Sequence, residues 1–170
     1  MTAPGTLEKV YDEHGQALFA FLLNFTRNEA DTRDLLQELF IKLAKSPHLP
    51  GEVREPRAFL LRLAHNLAID LIRRRETRLR THERWAGETL PLFAPVDEPD
   101  ERAFRESISA ALGDLAPEQR AVVHLKLWEG LTFQQIAELM EIPANTAASR
   151  YRYGIDKLRQ RLRPLFDEIK

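Results

Sequence analysis

The sequence predicts an all-α protein with two small helical domains, an N-terminal bundle and a C-terminal helix-turn-helix domain, joined by a flexible acidic linker. Apolar residues recur at helical spacing along most of the 170 residues, and the alternation typical of strands is nearly absent. Between residues 81 and 99 this periodicity fades, and three prolines occur among acids. We therefore predict domains at 1–80 and 104–170, with the linker at 81–103.

Three helices are predicted for the N-terminal bundle, at about residues 6–25, 29–45 and 56–78. Each carries an apolar face that a bundle would bury. The segment 46–51, which contains two prolines and a glycine, separates the second helix from the third. The residues expected to face the core are Leu7, Val10, Leu18, Phe21, Leu22, Phe25, Leu35, Leu36, Leu39, Phe40, Leu43, Phe59, Leu60, Leu63, Leu67 and Leu71.

Four further helices are predicted for the C-terminal domain, at about residues 100–115, 117–129, 132–140 and 143–165. The spacing of their apolar residues again fits a buried helical face. The last two helices are joined by a tight turn, which is the arrangement of a helix-turn-helix unit.

Local signals mark the ends of the helices in this unit. Gly130 can supply the left-handed conformation that ends a helix. Thr132 and Gln135 have the spacing of a capping box, in which each side chain binds a backbone N–H of the other residue. Pro143 is expected in the first turn of the last helix, where a missing N–H costs nothing.

Composition excludes several classes of protein. The net charge is −1, there is no cysteine, and no apolar run approaches the roughly 18 residues of a membrane span. The N-terminus lacks the pattern of a signal peptide. No nucleotide cradle or metal-ligand spacing occurs, so we expect a cytoplasmic protein that is not inserted in a membrane, has no cofactor and is not an enzyme.

The charges are distributed unevenly along the chain. Residues 54–80 hold eight arginines and three acids, whereas residues 87–101 hold five acids and no base. The last predicted helix is also rich in arginine and lysine. This alternation indicates two surfaces that face nucleic acid, joined by an acidic connector.

The last helix is the first candidate site. Its position after a capped helix and a tight turn is that of a helix that reads the DNA major groove. Arginines there can bind guanine edges or neutralise phosphates, and the alternative is an ordinary solvated face. The candidate residues are Asn145, Thr146, Ser149, Arg150, Arg152 and Lys157. Of the two tyrosines that flank Arg152, we expect one to pack on the domain core.

The second candidate is a polar stripe on the third helix. Arg62, Asn66, Asp70 and Arg73 recur at i, i+4, i+8 and i+11, opposite the leucines, and Arg74 adjoins them. Amide, carboxylate and guanidinium groups in such a stripe can bind splayed bases and phosphates. The alternative is an ordinary exposed face with an Asp70–Arg74 ion pair.

The third candidate is an acidic edge on the second helix, formed by Asp31, Asp34, Gln37 and Glu38. These residues stand away from the apolar stripe of that helix. Such an edge can dock on a basic protein partner, but most acidic edges only keep a protein in solution. Spacing alone leaves both interpretations open.

Four motifs carry a resemblance to a known family. They are Asp34–Phe40, Phe59–Arg75, Leu115–Arg120 and Gly130–Glu138. In this order and at these separations they resemble the bacterial sigma factors of the sigma-70 family, in the small extracytoplasmic-function (ECF) group. The resemblance covers about residues 6–80 and 104–164.

The resemblance implies a role for each candidate surface. Asp34, Gln37 and Glu38 would dock on the clamp helices of the β′ subunit of core RNA polymerase. The stripe on the third helix would bind the −10 element of promoter DNA and its melted non-template strand. The last helix would read the −35 element while its domain rests on the β flap, and the linker would thread through the polymerase.

The resemblance also implies regulation and reveals departures from the family pattern. An anti-sigma factor is an expected partner. His65 stands where an arginine is common beside Asn66, and Glu141 stands where the turn usually has glycine. A glutamate with positive φ at Glu141 would cost about 1 kcal/mol relative to glycine.

Two other functions are compatible with parts of this sequence. A stand-alone helix-turn-helix regulator would bind duplex DNA without polymerase, but it would not need the Asp34–Phe40 segment. A nucleic-acid enzyme using Asp70 or Asp34 with a divalent ion would need converging carboxylates, and these two lie on different predicted helices.

Overall fold

The computed structural model describes residues 4–46, 54–79 and 98–169, and this part of the chain forms seven α-helices. They are α1 (Pro4–Thr26), α2 (Glu29–Lys45), α3 (Pro56–Leu79), α4 (Pro99–Gly113), α5 (Pro117–Leu127), α6 (Phe133–Met140) and α7 (Ala144–Ile169). The chain divides into two compact units, Met1–Ala86 and Gly87–Lys170. The predicted all-α class is confirmed.

The first unit is a three-helix bundle in which α1 packs against both α2 and α3. Its core is built from large apolar side chains of all three helices, among them Leu18, Phe21, Leu39, Leu60 and Leu67, each almost fully buried. Several residues expected in the core are half-buried at its margin. These are Leu7, Leu36, Phe40, Phe59, Leu63 and Leu71.

The joint between α1 and α2 is formed without glycine. Arg27 adopts the left-handed conformation with φ 58°, and its N–H donates to the Leu23 carbonyl at 2.8 Å. Asn28 then caps α2, because its side chain accepts from the backbone N–H of Asp31 at 2.9 Å. The buried Thr32 hydroxyl donates to the Asn28 carbonyl, so the reversal is held by polar groups.

The second unit packs α7 against α4, α5 and α6. A buried cluster of Leu112, Leu115 and Val123 is covered by partly buried residues of α4 and α7. Gly154 allows α7 to approach α5 closely, since a Cβ there would lie 2.8 Å from Val123 Cγ2. The helix that carries the arginines is therefore fixed to the core of this unit.

A buried arginine joins α4 to α5. The Arg120 side chain, 5% exposed, donates from Nη1 to the Leu115 carbonyl at 2.9 Å. It also reaches the carbonyls of Leu112 and Gly113 at 3.4 and 3.5 Å, at the end of α4. A cation is well placed there, because the last carbonyls of a helix lack intrahelical partners.

The predicted capping box at the start of α6 is confirmed. Thr132 Oγ1 accepts from the Gln135 N–H at 3.1 Å, and Gln135 Oε1 accepts from the Thr132 N–H at 2.9 Å. Gly130 has φ 65°, as its position after α5 predicts. Pro143, predicted in the first turn of the last helix, instead immediately precedes α7, and its carbonyl accepts the N–H of Ala147 at 3.1 Å.

Glu141 ends α6 in the left-handed conformation, with φ 57° and ψ 47°. We expect Glu141→Gly to raise the free energy of unfolding by up to about 1 kcal/mol, because glycine adopts this conformation without a Cβ penalty. The entropy that glycine loses on folding offsets part of this gain. Chemical denaturation of both proteins measures the difference, and a lower stability of the glycine variant would contradict the expectation.

The C-terminal helices differ from the prediction at two ends. α4 begins at Pro99, within the range predicted for the linker, and residues 81–97 of that range lie outside the described residues. α7 continues to Ile169 with Pro164 inside it. The proline removes the donor for the Gln160 carbonyl, and Gln160 is exposed, so water can replace it. No helix within the described ranges is long and apolar enough to cross a membrane.

Candidate nucleic-acid and partner interfaces

The predicted stripe lies on the exposed side of α3. All five of its members are exposed, while Leu60, Ala64, Leu67 and Ala68 on the other side of the helix are buried. The stripe therefore presents amide, carboxylate and guanidinium groups together along one helix face. Its members are Arg62, Asn66, Asp70, Arg73 and Arg74.

The arginines that follow the stripe have different partners. Arg74 Nε donates to the backbone carbonyl of Asp70 at 3.2 Å, which holds this side chain along the helix. Arg75 forms an ion pair with Asp31 of α2, in which Nη2 donates to Oδ1 at 2.6 Å and Nη1 lies 2.5 Å from Oδ2. Asp31 was expected on the acidic edge of α2, and this pair places it at the α2–α3 contact instead.

His65 belongs to the core and not to the stripe. It is 6% exposed, and its ring lies edge-on to Phe25 with centroids 5.8 Å apart. His65 therefore packs between α3 and α1, although it neighbours the exposed Asn66 in sequence. A direct contact of this residue with DNA is not compatible with that position.

The remaining residues of the acidic edge line one face of α2. Asp34 and Gln37 are exposed, and Glu38 is half-buried with its carboxylate 3.8 Å from Lys42 Nζ. Ile41, 47% exposed, follows Asp34 and Gln37 at helical spacing. The edge is thus partly apolar.

An apolar groove of about 600 Å³ lies beside this edge, between α1 and α2. It is lined mostly by apolar side chains of the two helices, together with one cation and one amide: Tyr11, Phe19, Arg33, Leu36, Gln37, Phe40, Ile41 and Ala44. Tyr11 is 56% exposed and packs edge-on against Phe40. Sequence reasoning missed this groove, because Tyr11 belongs to another helix and its spacing on α1 gives no sign of α2.

On α7 the predicted residues fall on two sides of the helix. Asn145 and Arg152 are exposed and Ser149 is half-buried, and their spacing of i, i+4 and i+7 places them on one face. The opposite face holds the buried Ala147 and Gly154. The face through Asn145, Ser149 and Arg152, called here the α7 outer face, is the part of the helix directed away from the core.

The other predicted residues of α7 flank this face. Thr146 and Arg150 are half-buried, and Arg150 lies three residues after the buried Ala147 and four before the buried Gly154. Lys157 is exposed on the same flank. Asp156 lies on the outer face one turn beyond Arg152, where a carboxylate would repel phosphate.

The two tyrosines of α7 differ as predicted. Tyr151 packs against the core cluster and lies edge-on to Phe133, with ring centroids 5.5 Å apart. Tyr153 is 58% exposed, and the Arg152 guanidinium lies 5.6 Å from its ring centroid. The aromatic ring thus lies beside the one strongly exposed arginine that the prediction placed in the first half of α7.

The second unit also exposes two large apolar residues that the prediction did not include. Leu127 and Trp128 at the end of α5 are each roughly half exposed, and Trp128 stacks on the buried His124. Among the described residues, no group of three or more His, Cys, Asp or Glu side chains could hold a metal ion. Asp34 and Asp70 lie on α2 and α3 without such a cluster.

Family models match both units. The model for sigma-70 region 2 matches residues 10–78, which span α1 to α3. The model for sigma-70 region 4 matches residues 105–158, which run from α4 into α7 and include the whole α7 outer face. The two matches are in the order that the motifs of the sequence predict.

Curated relatives and a solved structure agree with these matches. The chain is 31% identical to the ECF RNA polymerase sigma factor SigL of Mycobacterium tuberculosis over 161 residues, covering 94% of this chain and 90% of the relative. It is 28% identical to the ECF RNA polymerase sigma factor SigX of Bacillus subtilis, covering 96% of this chain and 87% of the relative.

The solved structure is the sigma factor RpoE from Bartonella quintana, crystallised in complex with the anti-sigma factor NepR. Its TM-score is 0.75 at 18% identity, with coverage of 92% of this chain and 96% of that chain, so the likeness concerns the fold. The family models and the relatives, taken with the helix-turn-helix geometry, establish that this chain belongs to the ECF group of the sigma-70 family.

Proposed function

We propose that this chain is an initiation factor that binds core RNA polymerase and directs it to promoters through two DNA-binding surfaces. The observation that carries the proposal is the pairing of a region 2 unit and a region 4 unit in one chain, each with a polar, exposed helix face. A stand-alone regulator needs the second unit only. The phosphodiester chemistry would belong to the core polymerase.

Core polymerase is proposed to bind the exposed face of α2. Asp34, Gln37 and Glu38 would contact the β′ clamp helices, as the resemblance implies. The apolar groove beside them contains Ile41 and Tyr11. These side chains can supply an apolar contact surface, which the acidic edge alone does not have. Polar groups would then set specificity, and the groove would supply affinity.

The −10 element is proposed to bind the α3 stripe. Asn66 and Asp70 offer hydrogen-bond partners for unpaired base edges, while Arg62, Arg73 and Arg74 are placed for the phosphates along the same face. A row of these groups on one helix face suits a melted strand. Such a strand exposes both its base edges and its phosphates, and both can be bound along the same face.

The −35 element is proposed to bind the α7 outer face. In helix-turn-helix docking, the N-terminal part of the second helix contacts base edges. Asn145, Ser149 and Arg152 meet this requirement, and Asp156 would end the contact one turn later. Arg150 and Lys157, on the flank, are better placed for a phosphate than for a base.

A matched pair of alanine variants tests this division of α7. Arg152→Ala is expected to weaken binding to a cognate upstream element by about 1–3 kcal/mol relative to a scrambled element, since a bidentate base contact is lost. Arg150→Ala is expected to weaken binding to both sequences equally, since phosphate contacts carry no sequence information. Competition binding of reconstituted holoenzyme measures both, and the reverse pattern would assign the base contact to Arg150.

An anti-sigma factor is a proposed partner, because RpoE, which shares this fold, was crystallised with one. The α2 groove and the pair Leu127 and Trp128 are exposed apolar surfaces that such a partner could cover. The region 4 unit is also proposed to rest on the β flap of the polymerase.

The experiment for the proposed function is to map RNA 5′ ends after overexpression of the chain in its bacterial host. We expect a set of new transcription starts that share two sequence blocks, one near position −10 and one near position −35. An empty-vector strain and a strain producing a variant with the α2 face altered serve as controls. New starts without shared upstream blocks, or no new starts, would contradict the proposal.

A further inference from the structure

We propose that Asp31 withholds Arg75 from nucleic acid and so sets which arginines of α3 are available to DNA phosphates. This inference rests on the proposed function of the α3 stripe. The row Arg73, Arg74 and Arg75 reads in sequence as one basic cluster. The structure gives its third member, Arg75, a carboxylate partner on another helix.

The geometry of the pair is that of a strong charged interaction. Arg75 Nη2 donates a hydrogen bond to Asp31 Oδ1 at 2.6 Å, and Nη1 lies 2.5 Å from Oδ2 as a second ion-pair contact. The two residues are 44 positions apart, so the pair joins α2 to α3 and is not a local helix contact. The Asp31 side chain is only 14% exposed, whereas that of Arg75 is 45% exposed.

Asp31 is itself fixed in place. Its N–H is bound by the Asn28 side chain that caps α2, and the buried Thr32 that follows it anchors the first turn. A carboxylate in the first turn of a helix is also favoured by the helix dipole. The backbone of Asp31 is therefore fixed at the start of α2, where its carboxylate reaches Arg75 of α3.

The electrostatic consequence concerns counterion release. DNA binding gains free energy when a net positive charge replaces the counterions condensed around phosphates. The Asp31–Arg75 pair has no net charge, so it contributes little to this term. Arg74 differs, because its contact to the Asp70 carbonyl leaves its charge uncompensated by that bond.

The test measures how the affinity of the full chain for labelled oligothymidylate depends on salt, without polymerase. Asp31→Asn is expected to steepen the slope of log Kobs against log salt by about 0.7, the value for one added phosphate contact on a single strand. Arg75→Gln is expected to leave the wild-type slope unchanged. The double variant is expected to match Arg75→Gln, because the released arginine is then absent.

Asp12→Asn is the matched control, since it removes one negative charge from an exposed position of α1 in the same unit. We expect it to leave the slope at the wild-type value. If the steeper salt slope of Asp31→Asn persists in the double variant, a loosened α3 is responsible for it and the inference is wrong. The inference is also overturned if Asp31→Asn has the same salt slope as wild type, or if neither protein binds the oligonucleotide. A shallower slope for Arg75→Gln than for wild type would overturn it as well.

This outcome is distinguishable from a failure of the proposed function. The salt slope needs neither polymerase nor a promoter. If Asp31→Asn steepens the salt slope but the chain directs no transcription, the role of Asp31 stands and the assignment as an initiation factor is wrong. If the chain directs transcription but Asp31→Asn leaves the salt slope unchanged, only the role of Asp31 is wrong.

Discussion

Replacing Arg120 by alanine is expected to lower the free energy of unfolding of the C-terminal unit by about 3 kcal/mol. Its guanidinium is buried and binds the Leu115 carbonyl, with those of Leu112 and Gly113 within reach. Alanine would leave these carbonyls without a donor. It would also create a cavity beside the end of α4. Arg120→Lys is expected to recover part of the loss, because a single ammonium cannot reproduce the planar fork of donors.

Trp128 provides the measurement, since it lies in the second unit beside α5. The other tryptophan, Trp85, is replaced by phenylalanine in every protein compared, so that fluorescence during urea unfolding reports on the C-terminal unit alone. A loss of less than about 1 kcal/mol in the alanine variant would show that water replaces the guanidinium, and the structural role of Arg120 would be rejected.

The second large effect is expected on the α2 face. Combining Glu38→Lys with Ile41→Asp should weaken binding to core polymerase by at least about 2 kcal/mol, roughly thirtyfold, because one change reverses a charge and the other places a carboxylate in the apolar groove. Both side chains reach the surface, so the helix content and the melting temperature should stay close to those of wild type.

Fluorescence titration of the labelled chain with core polymerase measures this affinity. Glu106→Lys is the control, because it reverses an exposed charge on α4 of the other unit. If both proteins bind core polymerase with wild-type affinity, the α2 face is not the docking surface. If the control is weakened as much as the double variant, the effect is one of overall charge.

The elements that the sequence predicted correctly are those specified by neighbouring residues. Thr132 and Gln135 lie three positions apart and cap α6 by themselves, and Gly130 takes the left-handed conformation of a residue that follows a helix. Helical periodicity likewise predicts the exposed side of α3. These features need no knowledge of what packs against them.

The features that escaped prediction depend on tertiary contacts. Arg27 takes the left-handed conformation that usually signals glycine, so its residue type gives no warning. Asp31 has the spacing of the acidic edge, and only the packing of α2 against α3 brings Arg75 to it. His65 borders the polar stripe, but its ring turns toward Phe25 of another helix.

The candidate surfaces show the same limit. Amphipathic spacing on α7 could not rank Arg150 against Arg152, because both are arginines in the first half of the helix. Their exposure separates them, and it follows from the close contact of Gly154 with Val123. The groove beside α2 likewise exists only where two helices meet.

Run-off transcription with sigma-free core polymerase tests the central claim most directly. The template carries a promoter taken from the mapped starts, and sister templates have either the −10 block or the −35 block replaced. We predict a transcript of defined length only when the chain is added, and a large loss on each sister template. No transcript above that of core polymerase alone, on any mapped promoter, would contradict the claim that this chain directs initiation.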